Sequence, residues 1–285
     1  MEKNKVEGGR LYLVATPIGN LSDISERAIK VLSEVDFIAA EDTRNSGIFL
    51  SRLGIHRPLI SYHEHNKASR GAEIADRLAA GESCALISDA GTPAISDPGE
   101  DLVRLCAERD IPISSIPGAC AAITALTLSA LSTRRFCFEG FLPTSPKERR
   151  ERLGAIASEE RTQIIYEAPH KLRKTLDDLL AVCGKERHLS LCRELTKLNE
   201  EALRMTVFEA VEYYKEKEPR GEYVLVLEGA EKKSNCATSQ MSITEHLEYY
   251  ISEGLAMKDA IKTVAKERSL PKNEVYIEAI KMKSE

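Results

Sequence analysis

Four short stretches hold the residue types from which chemistry could be built, and each follows an apolar run. "AEDTR" (40–44) and "RELTK" (193–197) set carboxylates beside bases. Such a pair can draw a proton from a hydroxyl or hold a phosphate, although taken singly it is more often a structural salt bridge. "YHEHN" (62–66) puts His63 and His65 two apart around Glu64. On a strand the two rings would point the same way, as metal ligands could. A third ligand at comparable spacing is missing, so no metal is expected. The fourth stretch, "SDAGTPAISDPG" (88–99), holds two Asp, two Gly and two Pro. A plain surface turn needs one Gly or Pro, so this one reads as a loop shaped around a ligand.

Two further turns are simpler. "ATPIGN" (15–20) closes an apolar strand, and "SIPGACAA" (115–122) puts Pro-Gly and small residues between a strand and a helix. Small residues there leave backbone N–H and C=O groups open to a ligand. The first is not G-x-G-x-x-G, and no G-x-x-x-x-G-K-[ST] occurs, so a dinucleotide fingerprint and a triphosphate cradle both lack support.

The elements that must position these stretches alternate. Strands are expected at 10–16, 36–40, 59–66, 83–89 and 111–118. Helices lie between them, the first with Ser22 or Asp23 as its cap, and "ACAAITALTLSALS" forms a largely buried one. That order predicts a parallel α/β sheet with its functional loops at the C-terminal strand ends. A second α/β unit starts near "RFCFEGFLP" (135–143) and ends in "GEYVLVLEGA" (221–230). "EKKSNCATSQM" (231–241) is the best linker, and short amphipathic helices follow it. The expected domains are 10–122, 123–230 and a helix-turn-helix-like tail at 241–285.

The composition narrows the function. At 285 residues and 42% hydrophobic the chain suits a globular protein with a substantial core. It has no run of about 18 apolar residues, so no membrane span is expected, and its first residues do not read as a secretory signal. Seven Cys without C-x-x-C spacing read as reduced thiols in a cytoplasmic protein. A net charge of −5 argues against nonspecific coating of nucleic acid, leaving local basic patches such as Arg134–Arg135, "KERRERL" (147–153) and the tail.

Taken together and in order, "ATPIGNLSDISERA", "AAEDTRNS", "SYHEHN", "LISDAGTPAISDPG", "IPGACAAITAL", "FEGFLP", "YEAPHKL", "RELTK" and "GEYVLVLEG" closely resemble the ribosomal RNA small subunit methyltransferase I family of the tetrapyrrole-methylase superfamily. Departures are Ala168 and Lys171, where relatives commonly have "YESPHR", and Leu198–Asn199, where an aromatic often precedes Glu. The resemblance implies two α/β domains with S-adenosylmethionine in the cleft between them, usually in a homodimer. It implies 2′-O-methylation of a cytidine in the decoding region of 16S rRNA, without a metal. The matching donor-binding positions are Pro17, Asp89, Ala90, Gly91, Ala121, Ala122, Tyr166 and Glu167, with Ser96 and Asp97 shaping the loop. Candidates for activating or orienting the ribose hydroxyl are Glu41, Asp42, Arg44, His63, Glu194 and Lys197, which sequence alone does not rank. A carbon methyltransferase of tetrapyrroles would share the fold but would not call for the basic tail. A non-catalytic RNA-binding module would not need the intact Asp and Gly of the donor loop.

Overall fold

The computed structural model describes residues 5–231, 241–268 and 270–282. Residues 1–230 form one compact unit and residues 231–285 another. Most of the expected linker, 232–240, lies outside the described residues.

The first sheet is parallel throughout, in the order β3-β2-β4-β1-β5. Its strands are β1 (Leu11–Val14), β2 (Phe37–Ala40), β3 (Leu59–Ser61), β4 (Cys84–Ile87) and β5 (Ile113–Ile116). Every residue of "FIAA" and "CALI" is buried, as inner strands covered on both faces require. Helices α1 (Glu26–Glu34) and α2 (Thr43–Arg52) cover one face; α3 (Lys67–Ala79) and α4 (Gly99–Glu108) cover the other. The chain therefore leaves β1 and β4, which are neighbours, in opposite directions and over opposite faces. A crevice opens at their C-terminal ends, the usual ligand position in such sheets.

Local chemistry departs from the sequence reading at three places. Ser25, rather than Ser22 or Asp23, caps α1 by accepting from the Ala28 N–H. Residues Leu21–Asp23 instead form a 3-10 turn capped by Asn20. β3 stops at Ser61, so "YHEHN" is a turn and not a strand. There Asn66 Oδ1 accepts from the His63 N–H at 2.8 Å while its Nδ2 donates to the Ser61 carbonyl at 3.1 Å. An Asn side chain that mimics a backbone turn ends the strand.

The second sheet runs β6-β7-β10-β8-β9, with β6–β7 parallel and the other pairs antiparallel. Its strands are β6 (Phe136–Phe141), β7 (Thr162–Glu167), β8 (His188–Arg193), β9 (Glu201–Thr206) and β10 (Tyr223–Leu227). Helices α6 (Pro146–Ser158), α7 (Leu172–Cys183) and α8 (Val207–Glu216) pack on one face. Helix α5 (Ala121–Leu128) follows β5 in the chain, but its Ala122, Ala125 and Leu126 pack on the other face of this second sheet. That helix fastens the first sheet to the second.

The second unit is a three-helix cluster of α9 (Ile243–Ser252), α10 (Met257–Glu267) and α11 (Lys272–Lys281). Leu247, Ala260, Val264, Val275 and Ala279 form its core. A capping box between Ser242 and Glu245 starts α9, and Gly254, with φ of +91°, turns the chain toward α10. No helix among the described residues is long and apolar enough to cross a membrane.

Candidate active site

Three loops at the C-terminal edge of the first sheet are bound to one another. Thr16, after β1, exchanges two backbone hydrogen bonds with Gly91, after β4, at 2.9 and 3.1 Å. Thr92 Oγ1 donates to the Ala119 carbonyl, after β5, at 2.9 Å. Gly118 lies so close to β1 that a β-carbon there would sit 2.8 Å from Cβ of Ala15. The Pro-Gly of "SIPGACAA" is thus a close backbone approach that only glycine permits.

The loop from Ser88 to Gly99 is held in a demanding shape. Ala94 and Ser96 adopt φ of +67° and +64°, a region costly for side-chain-bearing residues. The Asp97 carboxylate stabilises it by accepting from the N–H groups of Ala94 (3.0 Å), Ile95 (3.2 Å) and Gly99 (2.8 Å). Asp97 is therefore occupied within the loop; Pro98, not Asp97, is the N-cap of α4. Asp89 is exposed, and its carboxylate makes no hydrogen bond or ion pair among the described residues.

Facing this loop is the start of α5 and the end of β7. The Tyr166 hydroxyl accepts from the Ala122 N–H at 3.1 Å, satisfying a donor at the open end of α5. Phe138 and Phe141 stand edge-on to the Tyr166 ring, with centroids 5.0 and 5.6 Å away. Burial, then the neighbouring Cys120, push the Tyr166 phenol up to about 12. Glu167 is buried, with one oxygen accepting from the Ala168 N–H at 2.9 Å and the other from Thr175 Oγ1 at 2.5 Å. Arg149 donates to that same Thr175 at 2.8 Å and to Asp178 at 2.7 Å.

A cavity of about 570 Å³ opens between these walls. Of the residues expected to bind the donor, Asp89, Ala90, Gly91, Ala121, Tyr166 and Glu167 line it. Pro17 and Ala122 sit one residue behind lining positions. Sequence reasoning left Ile18, Thr92, Phe141, His170, Leu195 and Glu222 unassigned, though all line the cavity. Phe141 and Glu222 belong to the quoted "FEGFLP" and "GEYVLVLEG", so position at a strand end was the available signal. Five carboxylate residues, Glu41, Asp89, Asp97, Glu167 and Glu222, line the cavity, and among the described residues no Lys or Arg does.

The six candidates for handling a hydroxyl fall apart in space. Glu41 lines the cavity; Asp42, Arg44, His63, Glu194 and Lys197 do not. Burial first, then the Asp89 and Asp97 carboxylates, raise the Glu41 pKa above the ordinary carboxylate range, against the pull of His63. Asp42 is the N-cap of α2, accepting from the Arg44 N–H at 2.8 Å, which with the Arg44 side chain lowers its pKa. The "EDTR" stretch is thus a helix start, and Arg44 points out with 89% of its side chain exposed. His63 Nδ1 is buried without a partner, and Nε2 lies 3.3 Å from Asn66 Nδ2. Among the described residues, no three His, Cys, Asp or Glu gather as metal ligands would.

"RELTK" forms a tight knot of its own. Lys197 Nζ reaches Glu194 at 2.9 Å and Glu222 at 3.0 Å. The bond from Lys197 is the main cause that lowers the Glu194 pKa. Burial works against the Lys197 charge, but the bonds to Glu194 and Glu222 outweigh it and hold its pKa above the ordinary value. Glu194 and Thr196 have φ of +50° and +65°. A β-carbon on Gly19 would lie 2.9 Å from Thr196 Oγ1, so the knot closes against "PIGN" and not against "EDTR".

Comparison with known proteins shows the family and the fold. The model of the tetrapyrrole (corrin/porphyrin) methylases matches residues 10–211. The chain is 47% identical over 268 residues to ribosomal RNA small subunit methyltransferase I of Synechocystis sp., covering 94% of this chain and 96% of that protein. It is 48% identical over 271 residues to the protein of the same name from Halalkalibacterium halodurans, covering 94% and 93%. The crystal structure of uroporphyrin-III C-methyl transferase from Thermus thermophilus complexed with S-adenyl homocysteine has the same fold. Its TM-score is 0.55 at 16% identity, covering 77% of this chain and 97% of that one. The chain belongs to the ribosomal RNA small subunit methyltransferase I family of the tetrapyrrole methylases.

Proposed function

We propose that the chain methylates the 2′-oxygen of a cytidine ribose in the decoding region of 16S rRNA, with S-adenosylmethionine as donor. The observation that carries the donor assignment is the charge of the cavity: five carboxylate residues line it, and no Lys or Arg. A ligand with a sulfonium and an α-ammonium suits such walls, whereas a phosphate-bearing cofactor does not. The small residues Ala90, Gly91 and Ala121 leave room for backbone contact, and the free Asp89 carboxylate suits the ammonium. Pro17, Ala122, Tyr166 and Glu167 complete the wall, the last acting from behind through Thr175.

When bound, S-adenosylmethionine supplies an electrophilic methyl group on a positively charged sulfur. The protein must hold the ribose oxygen in line with it, and positioning of that kind is worth roughly 7–11 kcal/mol in favourable cases. Glu41 accepts the hydroxyl proton in this reading, because it faces the cavity, has no ion-pair partner among the described residues and is the more basic for its burial. His63 is close enough to influence Glu41 and steadies its charge. Asp42 fixes the turn that carries Glu41, and Glu194 holds Lys197 at the rim. Arg44 and Lys197 then meet the substrate's phosphates outside the acidic cavity.

The reading expects a homodimer acting in the cytoplasm on rRNA within the small ribosomal subunit, with α/β halves divided near residue 122. Donor titration by calorimetry, followed by radiolabel transfer to small-subunit rRNA and to a porphyrinoid, tests it. Donor binding with label only in the rRNA, mapped to a cytidine 2′-oxygen, is the expected outcome. Label in the porphyrinoid alone would sink it.

A further inference from the structure

A second cavity of about 640 Å³ adjoins the donor cavity and shares Ile95, Ser96, Cys120 and Phe141 with it. Its floor is β6, an outer strand of the second sheet. Phe136, Phe138 and Phe141 on that strand are 39%, 37% and 58% exposed, an unusual amount of aromatic surface in one row.

The row exists because of a bulge. Phe136 pairs with Thr162, Phe138 with Ile164 and Phe141 with Tyr166, while the register shifts between Phe138 and Gly140. In unbroken pleating Phe136 and Phe138 would share a face and Phe141 would turn away. The inserted residue, Glu139, restores the phase, so all three rings stand over the face that carries Ile164 and Tyr166. Gly140 makes the bulge possible with φ of +62°, and a β-carbon there would sit 3.2 Å from Ser96 Oγ of the donor loop. Along a strand, rings two paired positions apart are spaced by roughly 6.5–7 Å.

The charges differ from those of the donor cavity. The groove's two acids are paired, Glu139 with Arg152 at 2.9 Å and Glu100 with Arg104 at 2.8 Å. Arg134 and Arg135, leading into Phe136, are exposed and form no ion pair at contact distance among the described residues, Arg135 acting only at longer range on Glu159. Free cations beside a row of exposed rings are what a single-stranded nucleic acid requires, phosphates on the one and splayed bases on the other.

We propose that this groove seats the single-stranded RNA next to the methylated nucleotide, with bases stacked on Phe136, Phe138 and Phe141 and phosphates on Arg134 and Arg135. The proposal rests on the rRNA reading and names how that substrate is held. Binding of a single-stranded RNA oligonucleotide of the decoding-region sequence is measured by fluorescence anisotropy for wild type, Phe136→Ala, Phe141→Ala, Phe136→Tyr and Phe208→Ala. Circular dichroism shows that each variant is folded, and sedimentation reports its oligomeric state. Each Ala change in the row is expected to weaken RNA binding by about 5- to 100-fold. Donor affinity of Phe136→Ala, and RNA binding of Phe136→Tyr and of Phe208→Ala, an exposed ring on α8, should stay near wild type. Phe141→Ala, whose ring also lines the donor cavity, is read for RNA binding in the absence of donor. If the row variants bind RNA as wild type does, the proposal is overturned while the rRNA reading stands. If they instead dissociate into monomers with RNA affinity kept, the face is an interface between copies, which also overturns it. A wild-type protein that neither binds nor methylates rRNA overturns both.

Discussion

The Tyr166 hydroxyl and the Ala122 N–H, 44 residues apart, meet at 3.1 Å and join the end of β7 to the first turn of α5. Because α5 is also the link from the first sheet to the second, this bond fixes one wall of the cavity relative to the other. Tyr166→Phe keeps the ring between Phe138 and Phe141 and removes only the oxygen. The Ala122 N–H is then left without its partner, at a cost of about 1–2 kcal/mol in stability. Donor affinity measured by calorimetry should fall several-fold. With its pKa near 12, Tyr166 stays protonated at working pH, so the wild-type donor affinity should show no step from this group below about pH 11.

Asp97 offers a sharper test of the loop. Its carboxylate satisfies three backbone N–H groups and holds Ala94 and Ser96 in left-handed conformations. Asp97→Ala removes all three bonds, and the strained residues lose what holds them. A destabilisation of about 2–4 kcal/mol is expected by chemical denaturation, with donor affinity reduced at least tenfold. Asp97→Asn retains an acceptor and should recover part of both. Equal donor affinity in a folded Asp97→Ala would separate the loop from the donor.

As the proposed proton acceptor, Glu41 should couple activity and stability in opposite directions. Its pKa is raised by burial and by Asp89 and Asp97, so folding disfavours the ionised form. The stability this contributes is present below the unfolded carboxylate pKa and is lost as pH rises through the higher folded value. At neutral pH the charged Glu41 is therefore a burden on the free protein. Glu41→Gln should raise Tm slightly at pH 7 in the absence of donor while lowering turnover on small-subunit rRNA by about 10²–10⁴-fold. The acid limb of the wild-type rate profile should lie above the ordinary carboxylate range and disappear in the variant. Full turnover by Glu41→Gln would assign proton removal elsewhere.

Local punctuation makes much of this loop architecture readable in the sequence. The shaped loop at 88–99 was legible because Asp, Gly and Pro carry their backbone preferences in the sequence, and the parallel sheet because "FIAA" and "CALI" are short and fully apolar. Helix α2 was less so: "TRNSGIFLSR" is polar and weakly amphipathic, and only its packing on the first sheet makes Asp42 a cap. The ranking of the six hydroxyl candidates depends on which side chains already have partners, and Lys197 finds Glu222 from 25 residues away. The role of Glu167 depends on Thr175 and Arg149, on two different helices. The aromatic row on β6 was hidden because one bulged residue changes the face of Phe141 without changing the sequence pattern around it. β9, "EALRMT", shows no two-residue alternation and ends in the helix cap Thr206, so it carried little strand signal.

The tail supplies the last test, because its cations divide by environment. Lys258, Lys262 and Lys266 lie at four-residue spacing on α10 and are exposed, so they share one face of the helix. Arg268, which the sequence would group with them, is turned inward. Its Nε donates to His246 Nδ1 at 2.9 Å and its Nη2 to the Ser242 carbonyl at 3.0 Å. His246 is buried, stacks on Tyr250 and lies 3.0 Å from Glu267. If the three lysines meet rRNA phosphates, changing all of them to Gln should flatten the salt dependence of RNA binding. The slope of log K against log salt should fall by about 2, at roughly 0.7 per phosphate of a single strand. Arg268→Gln should act differently, lowering the melting of the three-helix unit and changing the slope only as that unit unfolds. Deleting residues 241–285 should reproduce the lysine effect with donor affinity unchanged. A slope unaltered by the triple change would leave α10 a packing element and move the phosphate contacts to residues 5–230.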